Sequence, residues 1–167
     1  MKRNFVKTIG GAVLAFMVIS TLTFGSVLAQ DGSKSESGAG DRLVGTWDAQ
    51  VTIRNCQNNA AIRTFASIGT FMSGGTMLDS TSGIPQALKT PGHGVWSHTG
   101  EREFKFSFKS FSFDAGGNFT GWTIIRHFAV VNSRATKYES FGTSEVYAPN
   151  GNLLFTGCST TTAARFE

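Results

Sequence analysis

The chain has 167 residues, of which 15 are lysine or arginine and 11 are aspartate or glutamate. Its formal charge of +4 is concentrated at the amino terminus, because Lys2, Arg3 and Lys7 precede the first acidic residue, Asp31. The remainder carries 12 basic and 11 acidic residues. A domain so close to neutral gives no support for binding to nucleic acid or to an anionic membrane.

Residues 1–29 have the pattern of a secretory signal peptide. The basic start is followed by an apolar run over 9–24, and Val27-Leu28-Ala29 places small residues where a signal peptidase cleaves. The apolar run is shorter than the ~20 residues of a membrane span. We therefore expect cleavage before Gln30, a secreted or periplasmic protein, and no membrane span after cleavage.

The rest of the chain is predicted to be a flexible linker over 30–41 and one all-β domain over 42–167. The linker sequence, QDGSKSESGAGD, has almost no apolar side chains. The domain shows no helical periodicity and is rich in Phe, Thr, Ser, Val and Ile. Eight strands are predicted, over 43–55, 62–73, 75–82, 93–99, 103–113, 119–131, 136–148 and 152–165.

Short connectors rich in turn residues join most of these strands, so neighbours must be antiparallel. They lie at 74–75, 99–102, 114–118, 132–135 and 149–152, and the one long connector, 83–94, contains Pro85 and Pro91. We predict a single eight-stranded antiparallel up-and-down β-barrel. A barrel of this size has room inside for one small molecule.

The hairpin of the fifth and sixth strands indicates which side chains face inward. Phe104, Phe106 and Phe108 share one face of the fifth strand. If the hairpin loop is 115–117, Phe106 lies opposite Arg126, which places that charge inside the barrel, whereas His127 faces outward.

Phe111 and Phe113 have the opposite parity to these three phenylalanines. This pattern requires either a bulge near Lys109-Ser110 or a covered outer face at that end of the strand.

The expected ligand is a small apolar or amphipathic molecule. Its acidic head group would pair with Arg126 and its body would lie on aromatic rings, with Tyr138 as a second polar anchor. His93 is a further candidate, because glycines flank it in Pro91-Gly92-His93-Gly94. The candidate ligand-binding residues are Phe104, Phe106, Phe108, Trp122, Arg126, Tyr138 and His93.

Cys56 is at the end of the first predicted strand and Cys158 lies in the last, and an antiparallel pairing of these two strands would close the barrel. Paired residues in such a ladder have a constant index sum, which is 214 for the two cysteines and 212 for Trp47 with Arg165. The near agreement supports closure and a disulfide in an oxidising compartment. The alternative is two buried free thiols.

Gly45-Thr46-Trp47 on the first strand, with Arg165 near the end of the last, resembles the calycin superfamily of lipocalins, fatty-acid-binding proteins and avidins. The resemblance implies a lipocalin-like barrel in which Trp47 lies at the closed end and Arg165 packs across it, both in structural roles. The middle T-D-Y motif of lipocalins and the biotin-contact pattern of avidins are absent, so no particular ligand is implied.

The sequence contains no metal-ligand spacing, nucleophile motif or phosphate-binding loop, and no cofactor is expected. Three functions remain open, and the oligomeric state is not indicated. The first is an exported carrier. The second is a cofactor-free cyclase or isomerase similar to allene oxide cyclases or dirigent proteins, which would need His93 with Tyr138 or Arg126 at the cavity. The third is an envelope interaction module with a filled core.

Overall fold

The computed structural model describes residues 38–166. The predicted signal peptide and residues 30–37 lie outside this range. Eight antiparallel strands follow one another around a closed barrel, and β1 pairs with β8. They are β1 (Gly45–Arg54), β2 (Ala61–Phe71), β3 (Thr76–Thr81), β4 (Gly92–Gly100), β5 (Glu103–Phe113), β6 (Phe119–Val131), β7 (Lys137–Tyr147) and β8 (Leu153–Arg165).

The predicted fold class is confirmed, and each strand lies within about two residues of its predicted bounds. Two short 3-10 helices complete the fold. One, Ala39–Leu43, begins inside the range expected to be linker, and the other, Gln86–Leu88, lies in the long connector. The β1–β8 ladder runs from Trp47↔Arg165 to Arg54↔Cys158 with the index sum 212, which confirms the Trp47–Arg165 pairing, whereas Cys158 pairs with Arg54 and not with Cys56.

A disulfide joins Cys56 to Cys158, with their Cα atoms 5.2 Å apart, so the alternative of two free thiols is wrong. Cys56 lies in the turn that follows β1 rather than in the strand. Cys158 lies on the outer face of β8, since its neighbour Ser159 is buried inside. The bond therefore fastens β1 to β8 from outside, while Trp47 packs within.

The β5–β6 register differs from the prediction by one residue, and a bulge is the reason. The backbone N–H of Asp114 donates to the carbonyl of Asn118 at 2.9 Å, as expected for the loop 115–117. Phe113 then pairs with Phe119, but Ser112 pairs with Gly121, which leaves Thr120 as an extra residue.

Gly121 makes this bulge possible. Its φ is +127°, and a Cβ atom there would collide with the carbonyl oxygen of Tyr147 on β7. Beyond the bulge every residue of β6 faces the opposite side from the prediction. Phe106 pairs with His127 and not with Arg126.

The predicted inward position of Arg126 is therefore wrong. Arg126 is exposed on the outer face and forms an ion pair with Glu145, whereas His127 is 4% exposed inside the barrel. Tyr138 is nevertheless inside as expected, because the β6–β7 loop is also one residue longer than predicted. The extra residue in the β5–β6 hairpin and the extra residue in the β6–β7 loop together leave Tyr138 on the face that was predicted.

The ladders of β5 are regular at Lys109 and Ser110, so the predicted bulge is absent there. The second alternative is correct, because side chains partly cover the outer face of β5 at this end. Phe111 packs edge-on against Phe119 at 5.8 Å, and Phe119 stacks on Trp122. Lys109 Nζ lies 4.2 Å from the centre of the Trp122 ring. This outer aromatic cluster does not contribute to the interior.

Candidate functional site

The barrel encloses a cavity of about 370 Å³ that opens at the end opposite Trp47. Its mouth includes Ile84 and Phe155, which are 42% and 58% exposed. Its deeper walls include Phe71 and Met77, which are almost fully buried. The volume lies within the usual range for small-molecule sites.

Aromatic rings form much of the inner wall. Phe71 meets Phe106 edge-on at 5.4 Å, and Phe106 stacks with Phe108 at 6.4 Å. Val51 and Ile125 add aliphatic surface from β1 and β6. The surface that the cavity presents to a ligand is therefore mostly apolar, although polar side chains also line it.

Asp79 on β3 provides a carboxylate inside this apolar wall. Ser67 Oγ donates a hydrogen bond to Asp79 Oδ2 at 2.7 Å, and Lys89 Nζ lies 3.9 Å from Oδ1. The Asp79 and Lys89 side chains are only 13% and 10% exposed. Burial raises the pKa of Asp79, an effect partly offset by Ser67 and Lys89, and burial lowers the pKa of Lys89.

The strands on both sides of Asp79 carry glycine at the paired position. Asp79 pairs with Gly69 on β2 and with Gly92 on β4. The space over Gly92 is filled by the Phe108 ring, whereas a Cβ on Gly69 would meet nothing closer than Phe71 at 3.7 Å. A Cβ at Gly69 would make only ordinary van der Waals contact, so the Gly69 side of the carboxylate has room for a small group.

Tyr138 on β7 faces the same cavity. Its ring packs edge-on against Trp47 at 5.0 Å and against Phe71 at 6.1 Å. Burial, and then the negative charge of Asp79, raise the pKa of its hydroxyl. The hydroxyl therefore stays protonated at neutral pH and can donate a hydrogen bond.

His127 on β6 is a further titratable group that the sequence did not place inside the barrel. Its Nδ1 and Nε2 each lie 2.9 Å from a serine hydroxyl, of Ser140 and Ser159 respectively. Burial lowers the pKa of His127 to about 4. The imidazole is therefore neutral at pH 7, and both ring nitrogens are satisfied within the wall.

The predicted ligand-binding residues fall into two groups. Phe106, Phe108 and Tyr138 line the cavity, and Phe104 is fully buried in the core. Trp122, Arg126 and His93 do not line it: Trp122 and Arg126 have outward parity on β6, and His93 is exposed on the outer face of β4.

The glycines beside His93 have a packing role. Gly92 and Gly94 face inward, and a side chain at either position would collide with Phe108 on β5. The unusual sequence around His93 thus reflects the close approach of a phenylalanine and not a polar site. The predicted enzyme alternative required His93 together with Tyr138 or Arg126 at the cavity, and His93 does not face the cavity.

One signal in the sequence could have located His127. Gly121 lies inside the sixth predicted strand, and a glycine inside a strand often marks a bulge. Asp79 and Lys89 carried no comparable signal, because a single charge in a short strand and another in an irregular connector are ordinary surface patterns.

A scan against models of known protein families finds no match, and no curated protein matches the chain. Within residues 38–166, no helix has the length and apolarity needed to cross a membrane. No group of three or more His, Cys, Asp or Glu side chains gathers in a metal-binding arrangement in the described part of the chain.

Proposed function

We propose that this protein is exported and binds one small amphipathic molecule inside its barrel. The observation that carries the proposal is the cavity of about 370 Å³, which is open at one end and closed at the other by buried side chains. An apolar cavity with a few convergent polar groups is the usual form of a small-molecule site. A filled-core module would not leave this space.

The charges near the cavity favour an acidic head group on the ligand. Lys89 and Arg63 line the cavity, and Asp79 is the acidic side chain among the lining residues. Lys89 and Arg63 thus take the role that the sequence had assigned to Arg126.

Export is supported by the pattern of residues 1–29 and by the Cys56–Cys158 bond, which is typical of an oxidising compartment. The Trp47–Arg165 contact at the closed end is compatible with a calycin-like barrel. The mass of the mature protein tests export. A chain that begins at Gln30 is expected, and a retained leader would contradict this part of the proposal.

Binding is tested by titration with the fluorescent probe N-phenyl-1-naphthylamine. Gly69→Val adds a side chain to the cavity wall beside Asp79 and Phe71 and is expected to weaken binding at least tenfold, about 1.4 kcal/mol. Ala66→Val adds the same side chain to the exposed outer face of β2 and should leave binding unchanged.

Competition then tests the charge preference. Laurate should displace the probe at lower concentration than dodecylamine, because the cavity holds more basic than acidic side chains. Absence of saturable probe binding, or equal effects of the two valine variants, would contradict the proposed function.

A further inference from the structure

We propose that the cavity is also a cofactor-free active site, in which Asp79 transfers a proton between two carbons of a small ketone while Tyr138 hydrogen-bonds the ketone oxygen. The substrate class is a carbonyl compound with a carbon–carbon double bond one position out of conjugation. This inference rests on the proposed function, because the substrate must first occupy the cavity.

The placement of Asp79 supports a role as general base. One carboxylate oxygen accepts the Ser67 hydrogen bond at 2.7 Å, which fixes the carboxylate against β2. The other oxygen is 3.9 Å from Lys89 Nζ, too far for a hydrogen bond, so it is available to a substrate. Phe108 covers the Gly92 side of Asp79, whereas at Gly69 a Cβ would meet only Phe71 at 3.7 Å, so the Gly69 side has room for a small group.

The surroundings of the carboxylate are those of a reacting group rather than of a surface salt bridge. Phe71, Met77 and Phe106 provide an apolar platform on which a ring or alkyl chain can lie. Burial raises the pKa of Asp79, which makes the carboxylate a stronger base than an exposed aspartate. The Lys89 ammonium group, 3.9 Å away, offsets part of the negative charge of the Asp79 carboxylate.

Tyr138 supplies the second requirement, a donor for the oxygen on which negative charge develops. Its hydroxyl is kept protonated by burial and by the Asp79 charge. Its ring is held by edge contacts with Trp47 and Phe71, so the donor is preorganised. Donor and base are contributed by β7 and β3 to one cavity.

The isomerisation needs no reactant other than the ketone, because the proton that is removed is also the proton that is returned. The Asp79 carboxylate removes a proton from the carbon between the carbonyl and the double bond, and the C–H electron pair forms a dienolate whose oxygen accepts the Tyr138 hydrogen bond. The protonated Asp79 then returns the same proton to the far carbon of the original double bond. The double bond moves into conjugation, and Asp79 is again a carboxylate.

The test uses cyclohex-3-enone, whose conversion to cyclohex-2-enone is followed by ultraviolet absorbance. The mature wild-type protein is compared with Asp79→Asn, with Tyr138→Phe and with the control Asp48→Asn, which removes an exposed carboxylate from the outer face of β1. Asp79→Asn should lower kcat about 10²-fold. Tyr138→Phe should lower kcat with little change in KM, and Asp48→Asn should match wild type.

The pH profile separates a base from a merely structural aspartate. The rate should rise with pH, because only the deprotonated carboxylate accepts a proton, and the inflection should lie above the ordinary aspartate value. The groups that face Asp79 are Lys89 and Tyr138, and Arg63 and His127 line the same cavity. Since His127 titrates at about pH 4, the profile is repeated in His127→Gln and should be retained.

Probe binding distinguishes failure of this inference from failure of the proposed function. Binding of N-phenyl-1-naphthylamine is measured for the wild type, for Asp48→Asn, which should match it, and for Asp79→Asn, in which retained binding with a lower kcat assigns the loss to the chemical step. If the wild type binds the probe but isomerises the ketone no faster than Asp79→Asn, the active site is refuted and the binding function stands. If the wild type does not bind the probe, both are refuted.

Discussion

Large apolar side chains occur at both ends of the barrel, but they are buried at the closed end and exposed at the open end. At the closed end, Leu43, Trp47, Phe104 and Val131 have no exposed surface. At the open end, Ile84, Leu154 and Phe155 are 42–60% exposed, and the backbone is fastened by the Cys56–Cys158 bond instead of by packed side chains.

The closed end is completed by hydrogen bonds to backbone carbonyls. Trp47 Nε1 donates to the Leu43 carbonyl at 2.8 Å. Arg165 donates to the carbonyls of Arg42, Val44 and Ala135 at 2.8–2.9 Å, while its guanidinium lies 4.4 Å from the Trp47 ring centre. One end therefore provides stability, which leaves the other free to admit a ligand.

Among changes at the two ends, substitution of Trp47 is expected to have the largest effect on the free energy of unfolding. Trp47→Ala removes a fully buried ring and leaves Arg165 without its aromatic partner, so it should lower the free energy of unfolding by about 3–5 kcal/mol. Urea unfolding measures this. Trp122→Ala on the outer face is the matched control, and a loss as large there would contradict the division between inside and outside.

The disulfide is expected to have the next largest effect. Replacing both cysteines with serine should lower the free energy of unfolding by about 2–4 kcal/mol, since the bond closes a loop with a sequence separation of 102. Hydrogen exchange should then quicken around Arg54 and Thr160, whereas amides near Trp47 stay protected. Uniform loss of protection would show that the two ends are not independent.

His127 should make stability depend on pH. Its folded pKa of about 4 lies below the ordinary value of 6.5, so the folded protein binds fewer protons than the unfolded chain between these values. Stability should fall by about 2–3 kcal/mol as pH drops from 6.5 to 4. His127→Gln should remove this component and His93→Gln should not, as measured by urea midpoints at each pH.

The smallest effect on stability is expected at the mouth. Phe155→Ser and Leu154→Ser replace neighbouring exposed residues of β8, and each should change the free energy of unfolding by less than about 0.5 kcal/mol. Phe155 lines the cavity and Leu154 faces outward. Only Phe155→Ser should weaken probe binding, and equal weakening by both would argue for a binding surface outside the barrel.

The sequence predicted the framework because its signals are local or are repeated along the chain. Gly/Asn/Asp turns delimit the strands, and the Trp47–Arg165 spacing indicates the closing register, from which the Cys56–Cys158 index sum differs by two. The interior was harder to predict, because a single extra residue reverses every side chain beyond it. Thr120 had this effect on Arg126 and His127. Asp79 became a candidate only when the register placed glycine on both sides of it.

Intermolecular nuclear Overhauser effects between bound N-phenyl-1-naphthylamine and the methyl groups of the protein test the central claim most directly. Met77, Val51 and Ile125 line the cavity, whereas Ile68, Leu78 and Val95 are exposed on the outer face. The account predicts contacts from the probe to the first three methyl-bearing residues. Contacts confined to Ile68, Leu78 and Val95 would contradict it.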